Sequence, residues 1–455
     1  MAVAYGLGHF GDARLEKGGA NLYAALVARP SACIRRLGKV RRKEMQFTRL
    51  LRNPKVTAAE MSEHAAARTA LRAAGRDVVV VQDTSELALG GRRARANGYG
   101  PVGKGGAVRG LVLHAAVAVD AGTGALLGAV DLKVWNRTGG KVKPRRGRTT
   151  AEKESQRWID GARRAGEVVA SARRITSVSD PESDVYEHFA SRPDNVDVIV
   201  RACQNRSIET DAEDQVALLF PFIDSLPEQG RYRVNIPAAP GRKARTAELA
   251  LRFSPVVLRK PRYGARDLPE SVALTLVDVR ETSQPEQGEP LHWRLLTTHS
   301  VGNLDEARHI IDLYRLRWTI EVYFLTLKTA GFNIENADIG EPRAMINLVA
   351  AAAVAAVTVM QLVRARDGTT GEKLTDAFDP ADRALFEALS AKLEGATEKQ
   401  KNPHPKGSLA FAAWVIGRLG GWTGYYGKPG PLVMRRGLED FQRIKYGSML
   451  NLSDV

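Results

Sequence analysis

The hydrophobic pattern of this chain changes its period at Asp77, and this change restricts the folds that the chain can adopt. From Ala13 to about Ala74 the apolar residues follow helical spacing. After Asp77 they form runs rich in Val, Ala and Leu, which are typical of strands. The order that follows is three strands, a helix, a strand, a helix and a strand. The strands are predicted at 78–81, at 108–119, at 125–134, up to 180, and at 196–200. The helices are predicted at 151–170 and from 184.

This order of elements is that of an RNase H-like sheet, so we predict an α/β protein with an RNase H-like mixed-sheet core. Prolines and strand-like runs predict a β-rich insertion at about 206–300. Beyond Arg366 the chain turns polar, and its last 48 residues predict two helices around a glycine-rich turn, which we expect to form a subunit contact. The predicted domains are an all-α N-terminal domain at 1–74, the core at 75–365 and an α-helical C-terminal region at 366–455.

The charge of the chain favours a polyanionic partner. The formal net charge is +16, and residues 1–73 hold 14 Lys or Arg against 5 Asp or Glu, which is 14 − 5 = +9 of that total. A protein that binds a membrane surface would carry this charge on one face of an amphipathic helix, with large apolar residues on the other face. The basic residues at 35–43 lie instead between helical segments, as a phosphate-contacting module would place them. We therefore expect the N-terminal domain to bind DNA.

Nothing in the sequence predicts a membrane or secreted protein. The start of the chain lacks a basic region followed by an apolar run. The longest uncharged stretch, at 348–363, is short for a membrane span and rich in Ala, so we predict a buried core helix. Cys33 and Cys203 cannot form a disulfide framework or a zinc site, and each is predicted to be a small buried side chain. We expect a cytoplasmic protein.

One acid, two cations and a phenol are spaced to share a helix face. Tyr314, Arg317, Glu321 and Lys328 fall within an arc of about 60° if the helix is continuous. Such a set suits a carboxylate that holds a metal ion against a phosphate diester. The alternative is a solvated Arg–Glu pair four residues apart, and the spacing alone leaves both open.

The same spacing is that of the YREK signature, and the chain resembles the bacterial DDE cut-and-paste transposases of the insertion-sequence-four group. Segments similar to the group's motifs follow one another along most of the chain. They are Gly-Asp-Ala-Arg at 11–14, Arg-Leu-Leu-Arg-Asn-Pro at 49–54, Val-Val-Gln-Asp-Thr at 80–84, Ser-Asp-Pro-Glu-Ser-Asp at 179–184, Gly-Ser-Leu at 407–409 and Arg-Leu-Gly-Gly at 418–421.

The resemblance implies that Asp83, Asp180 and Glu321 are the catalytic acids and hold two Mg²⁺ or Mn²⁺ ions. Oxygen ligands favour these ions over zinc, and ends of adjacent strands can bring two acids together. Taken alone, Asp83 and Asp180 also fit turn or cap positions. The family usually has a basic residue where Pro181 stands, so Asp184 is a second candidate for the acid, although it also fits a helix N-cap.

The resemblance also implies the residues that contact DNA. Arg317 and Lys328 would position the scissile phosphate, and Tyr314 would donate a hydrogen bond to a neighbouring phosphate. Trp293 stands where hairpin-forming members of the group stack an aromatic ring on a flipped base. Trp293 and Trp318 equally fit core positions. Further candidates, each of which also fits a solvated surface, are Arg201 and the runs at 141–148 and 259–266.

The function implied is that of a transposase that acts as a homodimer on double-stranded DNA near the bacterial nucleoid. It would bind the inverted repeats at the transposon ends, cleave them by metal-dependent phosphoryl transfer through a hairpin, and join the 3′ ends to target DNA. The sequence has no P-loop, so no nucleotide cofactor is expected. Two alternatives stay open, namely a non-catalytic DNA-binding regulator or decayed transposase, and a metal-dependent endonuclease with the same core.

Overall fold

The computed structural model describes residues 6–450 apart from 90–96, 138–151, 210–215, 237–243, 263–266, 286–287, 379 and 425–426. The α-helices in these ranges are α1 (Ala13–Ala28), α2 (Ile34–Gly38), α3 (Arg41–Arg52), α4 (Ala58–Ala73), α5 (Gln156–Val168), α6 (Tyr186–Ala190), α7 (Leu219–Ser225), α8 (Leu304–Arg315), α9 (Trp318–Leu325), α10 (Pro342–Ala365), α11 (Arg383–Leu393), α12 (Leu409–Leu419) and α13 (Pro431–Leu450). The strands are β1 (Asp77–Ala88), β2 (Gly100–Val102), β3 (Val108–Asp120), β4 (Leu126–Trp135), β5 (Arg174–Ser179), β6 (Asp197–Arg201), β7 (Ser207–Glu209), β8 (Val216–Leu218), β9 (Gly230–Ile236), β10 (Arg245–Arg259), β11 (Ser271–Glu281) and β12 (His292–Thr297).

These strands form one mixed sheet, so the α/β prediction is confirmed. The strand order is β2-β3-β1-β5-β6-β12-β11-β10-β7-β8, with β4 paired to β3 and β9 paired to β10. β3 is antiparallel to both β1 and β4, whereas β1, β5 and β6 run parallel. The predicted β-rich segment at 206–300 contains β7 to β12, and β12 joins it to the centre of the sheet by antiparallel pairing with β6.

The central strand β1 is longer than its apolar run predicts. Its parallel ladder with β5 ends at the pair Val81 and Val178, but its antiparallel ladder with β3 continues to Ala88. Asp83 therefore lies inside β1, and the prediction that it lies at the strand end is wrong. The reason is that pairing with β3 extends the strand through polar residues that the hydrophobic pattern treats as a boundary.

Helix α10 is the buried centre of the helical layer, which confirms the core-helix prediction for 348–363. Within the described ranges it is the one helix long and apolar enough to cross a membrane, and 94% of its most apolar window is buried in the protein. Its polar side chains bond to the elements around it. The Thr358 hydroxyl meets the Tyr23 hydroxyl of α1 at 3.0 Å, and the Gln361 amide donates to the carbonyl of Leu126 in β4 at 3.2 Å.

The N-terminal helices pack on the sheet as well as on α10. Thr69 of α4 donates its hydroxyl to the carbonyl of Ala129 at 2.6 Å. A Cβ at Gly128 would lie 2.2 Å from the Thr69 hydroxyl oxygen, and Gly128 also has a φ of 153°, so glycine permits this close approach of α4 to β4. A shared apolar cluster continues from α1 through the sheet to α13. The boundaries of the three domains stay a prediction.

One local prediction differs from the structure. Cys33 and Cys203 are exposed rather than buried, because each lies in a connection outside the apolar faces. The capping box at α4 is half formed. The Thr57 hydroxyl accepts the Glu60 N–H at 3.2 Å, but the Glu60 carboxylate accepts the N–H of His9 instead of that of Thr57.

We expect Asn347→Ala to lower the free energy of unfolding by about 2–4 kcal/mol, measured by urea denaturation. The buried Asn347 amide donates to the carbonyls of Leu51 and Val56 at 2.9 and 2.8 Å, and the substitution leaves both acceptors unpaired. The control is Arg343→Ala, which removes an exposed bond to the Asn53 carbonyl and is expected to cost under about 0.5 kcal/mol. Equal losses in the two variants would contradict the role given to Asn347.

Candidate active site

Two aspartates lie on neighbouring parallel strands at the centre of the sheet. Asp83 lies in β1, two residues past the last pair of the β1–β5 ladder, and its carboxylate accepts the N–H of Thr84 at 2.7 Å. Asp180 directly follows β5 and accepts the N–H of Glu182 at 2.9 Å, which caps a short 3₁₀ turn at Pro181–Ser183. Because β5 ends where β1 continues, the Asp180 turn lies beside the exposed edge of β1 next to Asp83.

The electrostatics of the pair are those of two close carboxylates with little solvent. Burial, followed by the negative charge of Asp180, raises the pKa of Asp83 to about 7, against the opposing effects of the Thr84 N–H and the Arg317 cation. Burial likewise raises the pKa of Asp180, while the Glu182 N–H and Arg317 act in the other direction. The charge of Glu321 also raises the pKa of Asp83. The site therefore concentrates negative charge that a cation would stabilise.

In this structure the cation at the site is the Arg317 guanidinium. It pairs with the Glu321 carboxylate and lies 3.6 Å from the Asp83 Oδ2 atom. The Arg317 side chain is 18% exposed and Glu321 is 37% exposed, so the pair is partly shielded rather than fully solvated. This contact joins the third acid to the first.

The segment that carries these residues is not the single helix that the spacing predicts. α8 ends at Arg315 and α9 begins at Trp318, with i to i+3 bonds from the Arg317 N–H to the Tyr314 carbonyl and from the Ile320 N–H to the Arg317 carbonyl. After α9 the chain widens into a π-helical turn at Thr326–Ala330. The helix is overwound at 316–317 and underwound at 326–330. The angular position of Lys328 is therefore different from that in a regular α-helix.

Lys328 pairs with Glu335 at 3.5 Å, and the Glu335 carboxylate also accepts the N–H of Ala88 at the end of β1 at 2.9 Å. Tyr314, Arg317 and Glu321 thus meet at the junction of α8 and α9, whereas Lys328 is anchored at the end of β1.

The two tryptophans differ in their surroundings. Trp293 of β12 is half-buried, and its ring packs edge-on against Tyr314 with 5.3 Å between centroids. Tyr314 is buried, and burial raises the pKa of its phenol. Trp318 is 57% exposed, which excludes the core position for this residue.

Both tryptophans line a cavity of about 1060 Å³ between α8 and the β9–β10 face. The cavity also includes Tyr232, Leu249, Leu291 and Leu316, so its lining is largely apolar, and it reaches Asp77 at the start of β1.

The remaining candidates for DNA contact are distributed around the site. Arg201 ends β6, and one terminal nitrogen donates to the carbonyl of His292, the residue before Trp293, at 3.2 Å. The run at 141–148 lies outside the described residues, as does 263–266 of the run at 259–266. Within the described part of that run, the Lys260 ammonium pairs with Glu270 at 2.9 Å.

Asp184 is not available as an alternative acid. Its carboxylate is fully buried, pairs with Arg206 at 2.8 Å and accepts the N–H groups of Cys203 and Gln204 at 2.8 Å each. It does not cap α6 either, since the residue before that helix is Val185. The turn that begins at Pro181 takes Asp180 as its cap and directs Asp184 into the protein, so Asp184 anchors this turn to the segment after β6.

The residues fit a hard divalent cation in part. Asp83 and Asp180 supply carboxylate oxygens that raise each other's affinity for positive charge, and Mg²⁺ prefers such ligands. Among the described residues, however, no three His, Cys, Asp or Glu side chains stand close enough to hold a metal ion in this arrangement. Glu321 is turned to Arg317 instead. No family model matches the chain.

Sequence reasoning identified the two aspartates but missed the groups that hold them. Thr84 and Glu182 each donate a backbone N–H to the neighbouring acid. Polar residues on both sides of Asp83, at Gln82 and Thr84, interrupt an otherwise apolar strand, and this pattern could have signalled a buried polar network behind the acid.

We expect Asp83→Asn to stabilise the metal-free protein at pH 8 by about 2–4 kcal/mol and to have little effect at pH 4. The folded pKa of about 7 lies above the ordinary value of 3.8, so the folded state retains a proton that the unfolded state has released. The wild-type stability contributed by this group is therefore lost as pH rises from about 4 to 7. Melting temperatures of the two proteins in EDTA, from pH 4 to pH 8, measure the effect.

The control for this experiment is Asp120→Asn, for which the sign is opposite. The Thr123 N–H and the Arg76 guanidinium outweigh burial and lower the pKa of Asp120, so its carboxylate stabilises the fold above pH 4. Asp120→Asn is expected to destabilise the protein at pH 8. A difference in melting temperature between Asp83→Asn and wild type that does not change with pH would contradict the raised pKa of Asp83.

Proposed function

We propose that the chain is a DNA transposase of the DDE type with an RNase H-like core. The observation that carries this proposal is the position of Asp83 and Asp180 just past the end of the parallel β1–β5 ladder, with Arg317 and Glu321 brought to Asp83 by the α8–α9 junction. The strand arrangement β4-β3-β1-β5-β6, antiparallel and then parallel, supports the RNase H-like assignment. The net charge of +16 supports a nucleic-acid partner.

In this proposal Asp83, Asp180 and Glu321 hold the catalytic Mg²⁺ or Mn²⁺ ions. Bound there, the ions supply charge neutralisation, activation of water or a 3′-hydroxyl, and stabilisation of the leaving oxygen. Arg317 changes its partner in the course of binding. Its guanidinium matches two oxygens of a phosphate diester, so the phosphate attracts it away from the carboxylates and frees Glu321 to complete the ligand set. Before DNA binds, the Arg317 guanidinium thus neutralises part of the negative charge that the metal ions would otherwise neutralise.

The groups around the acids hold the DNA. Tyr314 is positioned by Trp293 and donates its hydroxyl to a phosphate, and Arg201 and Lys328 contact the backbone on either side of the acids. The large apolar cavity beside Trp293 accommodates one base turned out of the duplex, and the exposed Trp318 ring at its rim supports the same strand. The stacking of a flipped base on Trp293 accounts for a hairpin intermediate.

The terminal regions supply binding and assembly. Exposed basic residues of α2 and α3 contact the transposon ends, and α13 forms the homodimer that brings two ends together, since most of α12 is already buried within the chain. A protein of this kind acts in the bacterial cytoplasm, at the nucleoid.

The reaction is tested with purified full-length protein, Mg²⁺ and a duplex copied from the inverted repeats that flank its gene, with products separated on a denaturing gel. We expect nicks, hairpins and products joined to a second duplex, and we expect Glu321→Ala to abolish all three while leaving DNA affinity within about threefold of wild type, since other groups contact the backbone. Tight binding without cleavage would indicate a regulator or a decayed copy. Cleavage of any duplex without joining would indicate an endonuclease.

Trp293→Ala is expected to slow hairpin formation by roughly 5- to 100-fold and to leave the first nick unaffected, because base stacking on an aromatic ring is worth about 1–3 kcal/mol. Trp293→Phe, which keeps a ring against Tyr314, is expected to retain most of the hairpin rate. Single-turnover assays that follow nicking and hairpin formation separately make the comparison. Wild-type hairpin rates in Trp293→Ala would remove Trp293 from the stacking role.

A further inference from the structure

One arginine bridges the two chain segments that carry the aspartates. Arg157, in the first turn of α5, donates its Nε–H to the hydroxyl of Thr84 at 2.7 Å and a terminal N–H to the carboxylate of Glu182 at 2.7 Å. Its other terminal nitrogen donates to the carbonyl of Glu154 at 2.7 Å. The side chain is 10% exposed and lies over the ring of Trp158, so a rigid planar group with every nitrogen engaged spans the two segments.

The two residues that Arg157 holds are those that hold the acids. The Thr84 N–H donates to Asp83, and the Glu182 N–H donates to Asp180. A displacement of the Arg157 side chain would therefore displace both carboxylates, each through one intervening residue. Arg157 makes no hydrogen bond to either carboxylate among the described contacts, although its positive charge acts to lower the pKa of Asp180. Its effect on the geometry of the two acids passes through Thr84 and Glu182.

A buried chain of hydrogen bonds fixes the Thr84 end of this bridge. The Thr84 hydroxyl meets the His114 Nδ1 atom at 2.9 Å, and the His114 Nε2 atom meets the Gln82 amide oxygen at 3.3 Å. The Gln82 amide nitrogen donates to the Ser177 hydroxyl of β5 at 2.9 Å. Burial lowers the pKa of His114 to about 3, so the imidazole is neutral and can accept at Nδ1 and donate at Nε2. Every member of the chain then has a partner, and β1, β3, β5 and α5 are fixed relative to one another.

Folding stability does not account well for the outer part of this arrangement. Glu182 is 67% exposed, and an ion pair with so exposed a partner adds little to the stability of a fold. What the pair does fix is the position of the turn that carries Asp180 relative to β1. The geometry of this turn matters for a cation site, where displaced ligands lose affinity.

We propose that Arg157 is a positioning residue that sets the separation of the Asp83 and Asp180 carboxylates and thereby the affinity of the site for a divalent cation. The inference rests on the proposed function, because it assigns the two acids to cation binding. It concerns the free protein, so it can be tested without DNA.

The test is isothermal titration calorimetry of the metal-free full-length protein with Mn²⁺ alone, counting only the binding that Asp83→Ala abolishes. Arg157→Gln is expected to weaken Mn²⁺ binding by about 10- to 100-fold, which is the usual effect of removing a group that orients metal ligands. Arg157→Lys is expected to be intermediate, since one ammonium cannot reach both Thr84 and Glu182 with the geometry of the fork. The Mg²⁺ concentration for half-maximal cleavage of end DNA should rise in the same order, while the rate at saturating Mg²⁺ recovers.

Two further variants separate positioning from folding. Arg164→Gln removes ion pairs to Glu63 and Glu167 from the same helix, away from the acids, and should bind Mn²⁺ as wild type does. Glu182→Gln breaks the exposed end of the bridge and also removes a negative charge that acts on Asp180, so it should weaken Mn²⁺ binding in the same direction as Arg157→Gln. The two changes together should weaken it no more than Arg157→Gln alone, because both break one connection.

The outcomes distinguish this inference from the proposed function. Equal Mn²⁺ affinities for wild type and Arg157→Gln overturn the positioning role, whether or not the protein cleaves DNA. Weakened binding in Arg157→Gln, together with a wild-type protein that cleaves no DNA, supports the positioning role and refutes the transposase. Wild-type protein that binds no Mn²⁺ at the acids overturns both.

Discussion

The repulsion between the half-buried carboxylates of Asp83 and Asp180 is the constraint on which the rest of the site depends. Two like charges with little solvent are unfavourable, and the fold keeps them together through the parallel pairing of β1 and β5. The groups around them oppose this cost in different ways. Backbone N–H groups donate to each carboxylate, and the Arg317 guanidinium supplies positive charge within reach of Asp83. The protein thus stores an unfavourable arrangement that a divalent cation would relieve.

Arg317 gives this arrangement two states. Here it neutralises part of the negative charge and stands between the Glu321 and Asp83 carboxylates. In the function proposed above, a phosphate diester would compete for the same guanidinium, so DNA and a cation would favour each other at the site.

Much of the central sheet could be predicted from the sequence, because Val-rich strands and their order are strong signals, and both aspartates are among the residues that end or interrupt these runs. The parallel neighbourhood of β1 and β5 then brings the acids together. The break between α8 and α9 could not be predicted, since 316–317 contains neither Gly nor Pro. The role of Asp184 was missed for a similar reason, because its partner Arg206 is 22 residues away and only the folded chain shows the contact. Arg157 carries no local signal that separates it from the other arginines of α5.

The continuity of the sheet has a mechanical consequence. Antiparallel pairing of β12 with β6 makes the segment that carries Trp293 an extension of the same hydrogen-bonded layer that carries Asp83 and Asp180. Bending such a layer would break a ladder of backbone bonds, so the indole and the acids move as one body. Any closure of the protein around a substrate must then come from parts joined to the sheet by side chains alone. The α8–α9 junction contacts Asp83 through the Arg317 side chain, so Glu321 lies on a part of the site that the backbone ladders do not constrain.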